Sequence, residues 1–306
     1  MQLTELRFKP LTCLLLSVFA ACFSQSIIAL ELLDDQRNIN YTKLSYEASK
    51  FLLTFGTDIT LTKQPLSKAI DGLVTPKADN ALVPESGFIF MVVTDSTIFG
   101  KHTTYTSWFS ENAAVLQKMK ELRGKKNNAK LFRFTQNGKY DFRKDFNDKN
   151  YVINLGEVKN WGNSFGAYPA AVKNEQVVSE SSALLYLVGQ LKLQNPGDEA
   201  NLVLYSSDQL INTKLTVQEK IRLDTDFQIV SKGGKQRFNG QRDVVKIAVK
   251  AVDSQGRPVK DLQVMGLEGD VTMYVDEATR LLLQLSGEVE VAGKVNIKLK
   301  QAVKAD

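Results

Sequence analysis

The chain has 306 residues, 43% of them hydrophobic, with 39 basic and 34 acidic residues and a formal net charge of +5. A chain of this length buries roughly 75% of its unfolded surface and can build a large core. Charge so nearly balanced, without a long basic stripe interleaved with aromatic residues, argues against nucleic-acid binding.

The N-terminus has the pattern of an export signal. Arg7 and Lys9 precede an apolar run from Leu11 to Phe23, and small residues follow. A positive flank, an apolar segment of about 7–15 residues and a small-residue exit are the parts of a secretory signal. We therefore expect residues 1–29 to be a signal peptide and residues 30–306 to be an exported domain in the periplasm of a bacterial cell envelope. Candidate cleavage sites follow Ser24, Ser26 and Ala29.

Two other interpretations of this segment stay open. An uncleaved membrane anchor needs about 20 apolar residues, and Ser24 to Ser26 interrupts the run. The stretch from Phe19 to Cys22 resembles a lipobox, which would place a diacylglycerol on Cys22 and anchor the protein as a lipoprotein, although Phe19 stands where that motif usually has leucine. Both cysteines of the chain, Cys13 and Cys22, lie in the predicted signal. The mature chain would then have no disulfide.

The N-terminal half of the mature chain has mostly the period-two alternation of β-strands. It predicts a strand from Tyr46 to Phe55 and a central strand, apolar on both faces, from Phe88 to Val93. Apolar spacing from Pro65 to Leu73 favours a short helix, and the spacing from Ala113 to Leu122 suits a helix or a strand. Asn137 and Gly138 predict a hairpin with a type I′ turn, which needs positive φ at both residues.

The C-terminal half begins with an irregular region from Asn147 to Lys173. A helix is then expected from Ala183 to Val188, capped by Ser179 or Ser181 and so apolar that it should be buried. From Asn201 onward, alternating runs separated by turns predict serial hairpins.

These elements predict a mainly β protein, a large curved antiparallel meander sheet resembling a half-barrel, with one or two short helices. Residues 30–306 could form one domain or two halves, 38–145 and 175–303.

The chain also resembles a known family. The strand from Tyr46 to Phe55, the Ser181 to Leu187 segment, and the Leu267 to Asp270 and Asp276 to Leu281 segments are similar to the exported proteobacterial domain-of-unknown-function family 3108. The resemblance implies a curved antiparallel sheet, akin to periplasmic lipoprotein carriers that wrap a half-barrel around acyl chains. It implies no catalytic residues.

Three aromatic residues, Trp161, Phe165 and Tyr168, are candidate ligand-binding residues because they lie in a glycine-rich loop. A loop with several large aromatics either packs them against the sheet edge or presents them on its surface. In the second case they would form the rim of an apolar cavity.

The sequence offers no metal, cofactor or catalytic site. His102 is the one histidine, so a zinc site would lack ligands, and it begins a threonine-rich strand as an ordinary surface residue would. Asp224 and Asp226 lack the glycine and glutamate of a calcium loop and suggest a turn. We therefore expect a protein that is not an enzyme.

Two functions fit these expectations. The first is a binding or carrier protein for an apolar ligand such as a lipid. The alternative is a structural or assembly factor that binds another envelope protein through its sheet edges, by strand addition. The expected partners are thus an apolar small molecule or an envelope protein, not nucleic acid, with membrane contact only if Cys22 is lipidated.

Overall fold

A computed structural model describes residues 40–50, 53–76, 81–84, 87–98, 101–124, 127–148, 150–168, 177–206, 209–253, 257–259, 262–289 and 293–305. The predicted signal peptide, with Cys22, lies outside these residues. The strands are β1 (Tyr41–Lys50), β2 (Leu53–Pro65), β3 (Phe88–Ile98), β4 (Lys101–Phe109), β5 (Val115–Arg123), β6 (Asn127–Phe134), β7 (Gly138–Phe146), β8 (Gly162–Ala167), β9 (Val178–Glu180), β10 (Glu199–Ser206), β11 (Gln209–Ser231), β12 (Gly234–Val252), β13 (Gln263–Val264), β14 (Leu267–Asp276), β15 (Leu282–Val289) and β16 (Gly293–Lys304).

The helices are short. They are α1 (Leu66–Ala69) and α2 (Leu184–Gln190), with 3-10 turns at Ile70–Gly72, Leu155–Asn160 and Ser181–Ala183. Among the residues that the structure describes, no helix combines the length and hydrophobicity needed to cross a membrane.

The described strands form one sheet, which confirms the predicted fold class. Its order is β8-β7-β6-β5-β4-β3-β2-β1-β16-β15-β14-β12-β11-β10-β9, with β13 beside β14. The first eight strands form a meander that runs outward from β1, and β1 pairs with the last strand, β16. The N-terminal and C-terminal halves are therefore continuous through a single antiparallel ladder.

The hairpin of β11 and β12 is much longer than its neighbours. Its two strands pair from Asn212 to Ser231, across a turn in which Gly234 has φ of +119°. This is one of the hairpins predicted from Asn201 onward. The distal part of β11 pairs in parallel with the end of β16. The C-terminal part of the sheet therefore curls back on itself.

Helix α2 is buried, as its sequence predicts. Every residue from Leu184 to Gly189 is buried in the main core, which draws side chains from both halves, such as Leu44 and Leu285. The guanidinium of Arg280 donates to the carbonyls of Gly189, Leu191 and Leu193 at 3.0, 3.3 and 3.4 Å. These bonds satisfy carbonyl groups that a helix end leaves without intrahelical partners.

The sheet has two faces in its N-terminal half. The face that carries Leu44, Ile59 and Val92 packs into the main core with α2, and we call it the inner face. The outer face supports a second, smaller core that includes Trp108, Met119 and Leu131. Successive side chains alternate between the faces, so each of these strands contributes to both environments.

Several local predictions are wrong. The alternation from Tyr46 to Phe55 belongs to two strands, because Lys50 pairs with Leu53 across a reversal that a period-two pattern does not mark. Asp224 and Asp226 lie within β11 rather than in a turn. Arg237 fixes Asp226 with bonds of 2.9 Å from its Nε and Nη2.

The Asn137–Gly138 hairpin forms between β6 and β7, as predicted. Neither residue has positive φ, so the prediction of a type I′ turn is wrong. A Cβ atom on Gly138 would lie 2.3 Å from the carbonyl oxygen of Gly166. Glycine is required there by the close approach of β8 rather than by turn geometry.

The region predicted to be irregular, Asn147 to Lys173, contains a 3-10 turn and the edge strand β8. The ambiguous segment from Ala113 to Leu122 contains most of strand β5.

Candidate functional site

The inner face holds a cavity of about 360 Å³ beside helix α2. Strands β2 to β6 form its floor, and the segment before α2, the end of β10 and the β13–β14 turn form its walls. The volume falls in the range of about 300–1,000 Å³ that is typical of small-molecule sites.

The floor consists of two rows of side chains that cross the sheet. One row runs through Thr57, Ser96 and Thr103, which are directly paired neighbours on β2, β3 and β4. The other row runs from Thr94 on β3 through Tyr105 and Lys120 to Lys130 on β6. The cavity floor is therefore rich in hydroxyl and ammonium groups.

An ion pair between Lys118 and Glu180 lines one part of the cavity, which we call the deep end. Lys118 Nζ lies 2.5 Å from Glu180 Oε1, and the side chains are only 14% and 3% exposed. Ser107 Oγ donates to Glu180 Oε2 at 3.2 Å, and the Ser182 backbone N–H donates to the same oxygen at 3.0 Å. Ser181 and Ser182 also donate their hydroxyls to this carboxylate. Both oxygens of Glu180 are thus engaged within the protein.

These contacts decide the ionisation of Glu180. Burial alone would raise its pKa, but the Lys118 ammonium and the donors of Ser182 outweigh burial and lower the pKa. Buried charges are tolerated when they are paired and hydrogen-bonded in this way. Glu180 is therefore held as a carboxylate.

We call the part of the cavity around Lys120 and Lys130 the open end. Its charges are arranged differently from those around Glu180. Lys120 and Lys130 are direct cross-strand partners and are half-buried. Lys120 Nζ lies 5.3 Å from the ring centroid of Tyr105, but neither lysine forms an ion pair with a residue that the structure describes. Two ammonium groups therefore face the cavity, and no carboxylate of the described residues balances them.

At the other end of this row, on β3, one hydroxyl has no partner among the described residues. Thr94 Oγ1 is buried and makes no hydrogen bond within the described part of the chain. Most buried polar groups have such a partner. Thr94 lines the cavity beside Tyr105.

The opposite wall is partly apolar. Leu185, Tyr205 and Met265 lie there, and the Tyr205 ring centroid lies 5.7 Å from that of Phe132 on the floor. Met265 and Gly266 form the tight β13–β14 turn with φ of 52° and 79°. Positive φ is uncommon in a residue other than glycine. Met265, which has it, lies on the cavity wall.

The three aromatic residues predicted to bind a ligand do not line this cavity. Trp161 is 6% exposed in the second core, and its Nε1 has no hydrogen-bond partner among the described residues. Phe165 is 46% exposed on β8 and packs against Tyr140 with centroids 4.9 Å apart. Tyr168 packs against the main core, and burial raises its pKa. The three side chains thus have separate surroundings, and their role in binding stays a prediction.

His102 lies at the start of β4 with its side chain 40% exposed, 3.3 Å from Asp95. Its ring contacts the hydroxyls of Thr97 and Thr104 at 3.2 Å each. Within the described ranges, no three His, Cys, Asp or Glu side chains come together as metal ligands would.

Sequence reasoning missed the charged residues of the cavity. Lys118 and Lys120 are separated by Met119, so a strand would place both lysines on one face and the methionine on the other. The apolar spacing of Leu116, Met119 and Leu122 also fits a helix, which hid this signal. Nothing in the sequence around Glu180 indicates that it pairs with a lysine 62 residues away.

Comparison of the chain with protein-family models, curated proteins and solved structures gives no match. The resemblance to family 3108 therefore stays a prediction.

Proposed function

We propose that the protein is an exported, non-catalytic binding or carrier protein of the bacterial envelope, which holds a small ligand in the inner-face cavity. The observation that carries this proposal is the cavity itself, with its hydroxyl- and ammonium-bearing floor and partly apolar wall. The ligand that suits both sides has a polar group together with an apolar part, as a lipid does. Export is supported by the signal-like N-terminus.

Binding without turnover is supported by the state of the cavity's carboxylate. A general acid or base must reach a proton on the substrate. Glu180 instead accepts hydrogen bonds from Lys118, Ser107, Ser181 and Ser182. These contacts favour a structural role for Glu180.

Native mass spectrometry of the protein purified from an envelope fraction tests this proposal. We expect the wild type to carry an excess mass that organic solvent removes. Ser96→Trp should abolish it, because Ser96 lies on the cavity floor. Thr97→Trp is the matched control, since Thr97 is the exposed next residue of the same strand. A bare wild-type mass, or equal loading of both variants, would contradict the proposal.

The alternative function is an assembly factor that binds a protein partner through a sheet edge. The observation that favours it is β8, in which all six residues are exposed and none is charged. Natural edge strands often carry charges or proline, which discourage strand addition. Edge strand β8 carries neither.

Crosslinking in an envelope extract separates the two functions. If β8 pairs with a partner strand, Phe165→Asp should remove a crosslinked species that Ser96→Trp retains. If the cavity is the functional site, Phe165→Asp should leave the ligand mass unchanged.

A further inference from the structure

We infer that the polar part of the ligand is an anion, such as a phosphate or carboxylate group, bound between Lys120 and Lys130. This inference rests on the proposed function and names the class of ligand for that site.

The charges of Lys120 and Lys130 favour a bound anion. Side chains directly opposite on antiparallel strands have Cβ atoms about 4.5–5.5 Å apart, and like charges there are destabilising. Some other lysines of this sheet have a carboxylate beside them: Lys246 Nζ lies 2.7 Å from Glu219, and Lys214 Nζ lies 2.7 Å from Glu199. Lys120 and Lys130 have no such carboxylate among the described residues. A bound anion would supply the missing countercharge.

Hydrogen bonding also favours an anion. Lys120 and Lys130 line the cavity beside Tyr105, whereas Thr94 lies one strand farther away. An ammonium group can only donate hydrogen bonds, and a hydroxyl can donate one. The carboxylate of Glu180 already accepts bonds within the protein and faces Lys118. The groups at the open end therefore suit the acceptor oxygens of an oxyanion.

The apolar residues of the cavity suit the rest of the ligand. Leu185 and Met265 on the cavity wall offer apolar contact. Phe132, which is paired with Lys118 on the neighbouring strand, offers it from the floor. A ligand that uses the floor and the wall together is an organic anion. This chemistry belongs both to the head of an anionic lipid and to a small soluble organic phosphate.

Calorimetric titration of the mature chain tests the inference. The probes are octyl phosphate, inorganic phosphate and octyl glucoside, each below its micelle concentration. We expect octyl phosphate to bind at least about tenfold more tightly than octyl glucoside, because charge-assisted hydrogen bonds are the stronger ones. Binding of inorganic phosphate as tight as that of octyl phosphate would assign the site to a free anion, whereas weaker binding would assign it to an anionic amphiphile. Either result supports an anion site.

Variants of Lys120 and Lys130 test whether these two lysines bind the anion. Lys120→Gln/Lys130→Gln should weaken octyl phosphate binding at least about tenfold, and Lys120→Arg/Lys130→Arg should retain most of it. Lys298→Gln/Lys300→Gln on β16 is the matched control, since it removes two charges from residues that do not line the cavity. Thermal unfolding of each variant verifies that it folds.

Two results would overturn the inference in distinguishable ways. Equal affinity for octyl glucoside and octyl phosphate, unchanged in Lys120→Gln/Lys130→Gln but lost in Ser96→Trp, would reject the anion and leave the proposed function intact. A protein that purifies without a ligand and binds none of the three probes would contradict both.

Discussion

Lys118 and Lys120 are two residues apart on the same strand and face, yet their surroundings are opposite. Lys118, with its side chain 14% exposed, pairs with the buried Glu180, whose carboxylate is surrounded by serine donors. Lys120 lies opposite Lys130, with no described carboxylate to balance the pair. Lys118 and Glu180 balance each other's charge within the chain. The charges of Lys120 and Lys130 are balanced by no described residue. We therefore propose that the deep end of the cavity maintains the fold and that the open end binds a ligand.

The largest expected effect comes from breaking the buried pair. Glu180→Gln leaves Lys118 charged and nearly buried, and removing one partner of a buried pair typically costs about 3–5 kcal/mol. The control is Glu199→Gln, because the Lys214–Glu199 pair is 42% and 45% exposed and such pairs contribute about 0–1 kcal/mol. Urea unfolding measures both variants. Equal, small losses of stability in the two variants would contradict the structural role given to the Lys118–Glu180 pair.

The second prediction uses pH. The pKa of Glu180 in the folded protein is below its ordinary value of 4.5, so its ionisation stabilises the fold above that pH. That stabilisation should be lost as the pH falls below 4.5 and through the folded pKa. Wild-type stability should therefore decline more steeply with acidification than that of Glu180→Gln. Parallel pH profiles of the two proteins would contradict the role given to this carboxylate.

The smallest effect on stability is expected at the open end, and it has the opposite sign. Lys120→Gln/Lys130→Gln should stabilise the ligand-free protein by about 0.2–1 kcal/mol, because it removes a like-charge cross-strand pair. The gain should shrink as salt screens the repulsion. Thermal unfolding at low and high salt, compared with Lys298→Gln/Lys300→Gln, measures it. A loss of stability would mean that the lysines already have a partner within the protein.

The sequence predicts the fold better than the site, for a physical reason. Alternation and turn residues act locally, so the hairpins and the buried helix near Tyr186 could be predicted. Aromatic residues in a glycine-rich loop, such as Trp161, were the most visible binding signal, but the structure places that side chain in the second core. The cavity depends on register: Lys120 meets Lys130 only because β5 and β6 pair as they do. Register and long-range pairs such as Lys118–Glu180 are tertiary properties that periodicity does not encode.

The central claim is that the open-end lysines bind the ligand and the buried lysine does not. Titrating octyl phosphate while recording the lysine Cε–Hε NMR signals, assigned through lysine-to-arginine variants, tests it most directly. The signals of Lys120 and Lys130 should shift in a saturable way, with those of Lys118 and Lys298 nearly unchanged. Uniform shifts across all lysines, or none at Lys120 and Lys130, would contradict the claim.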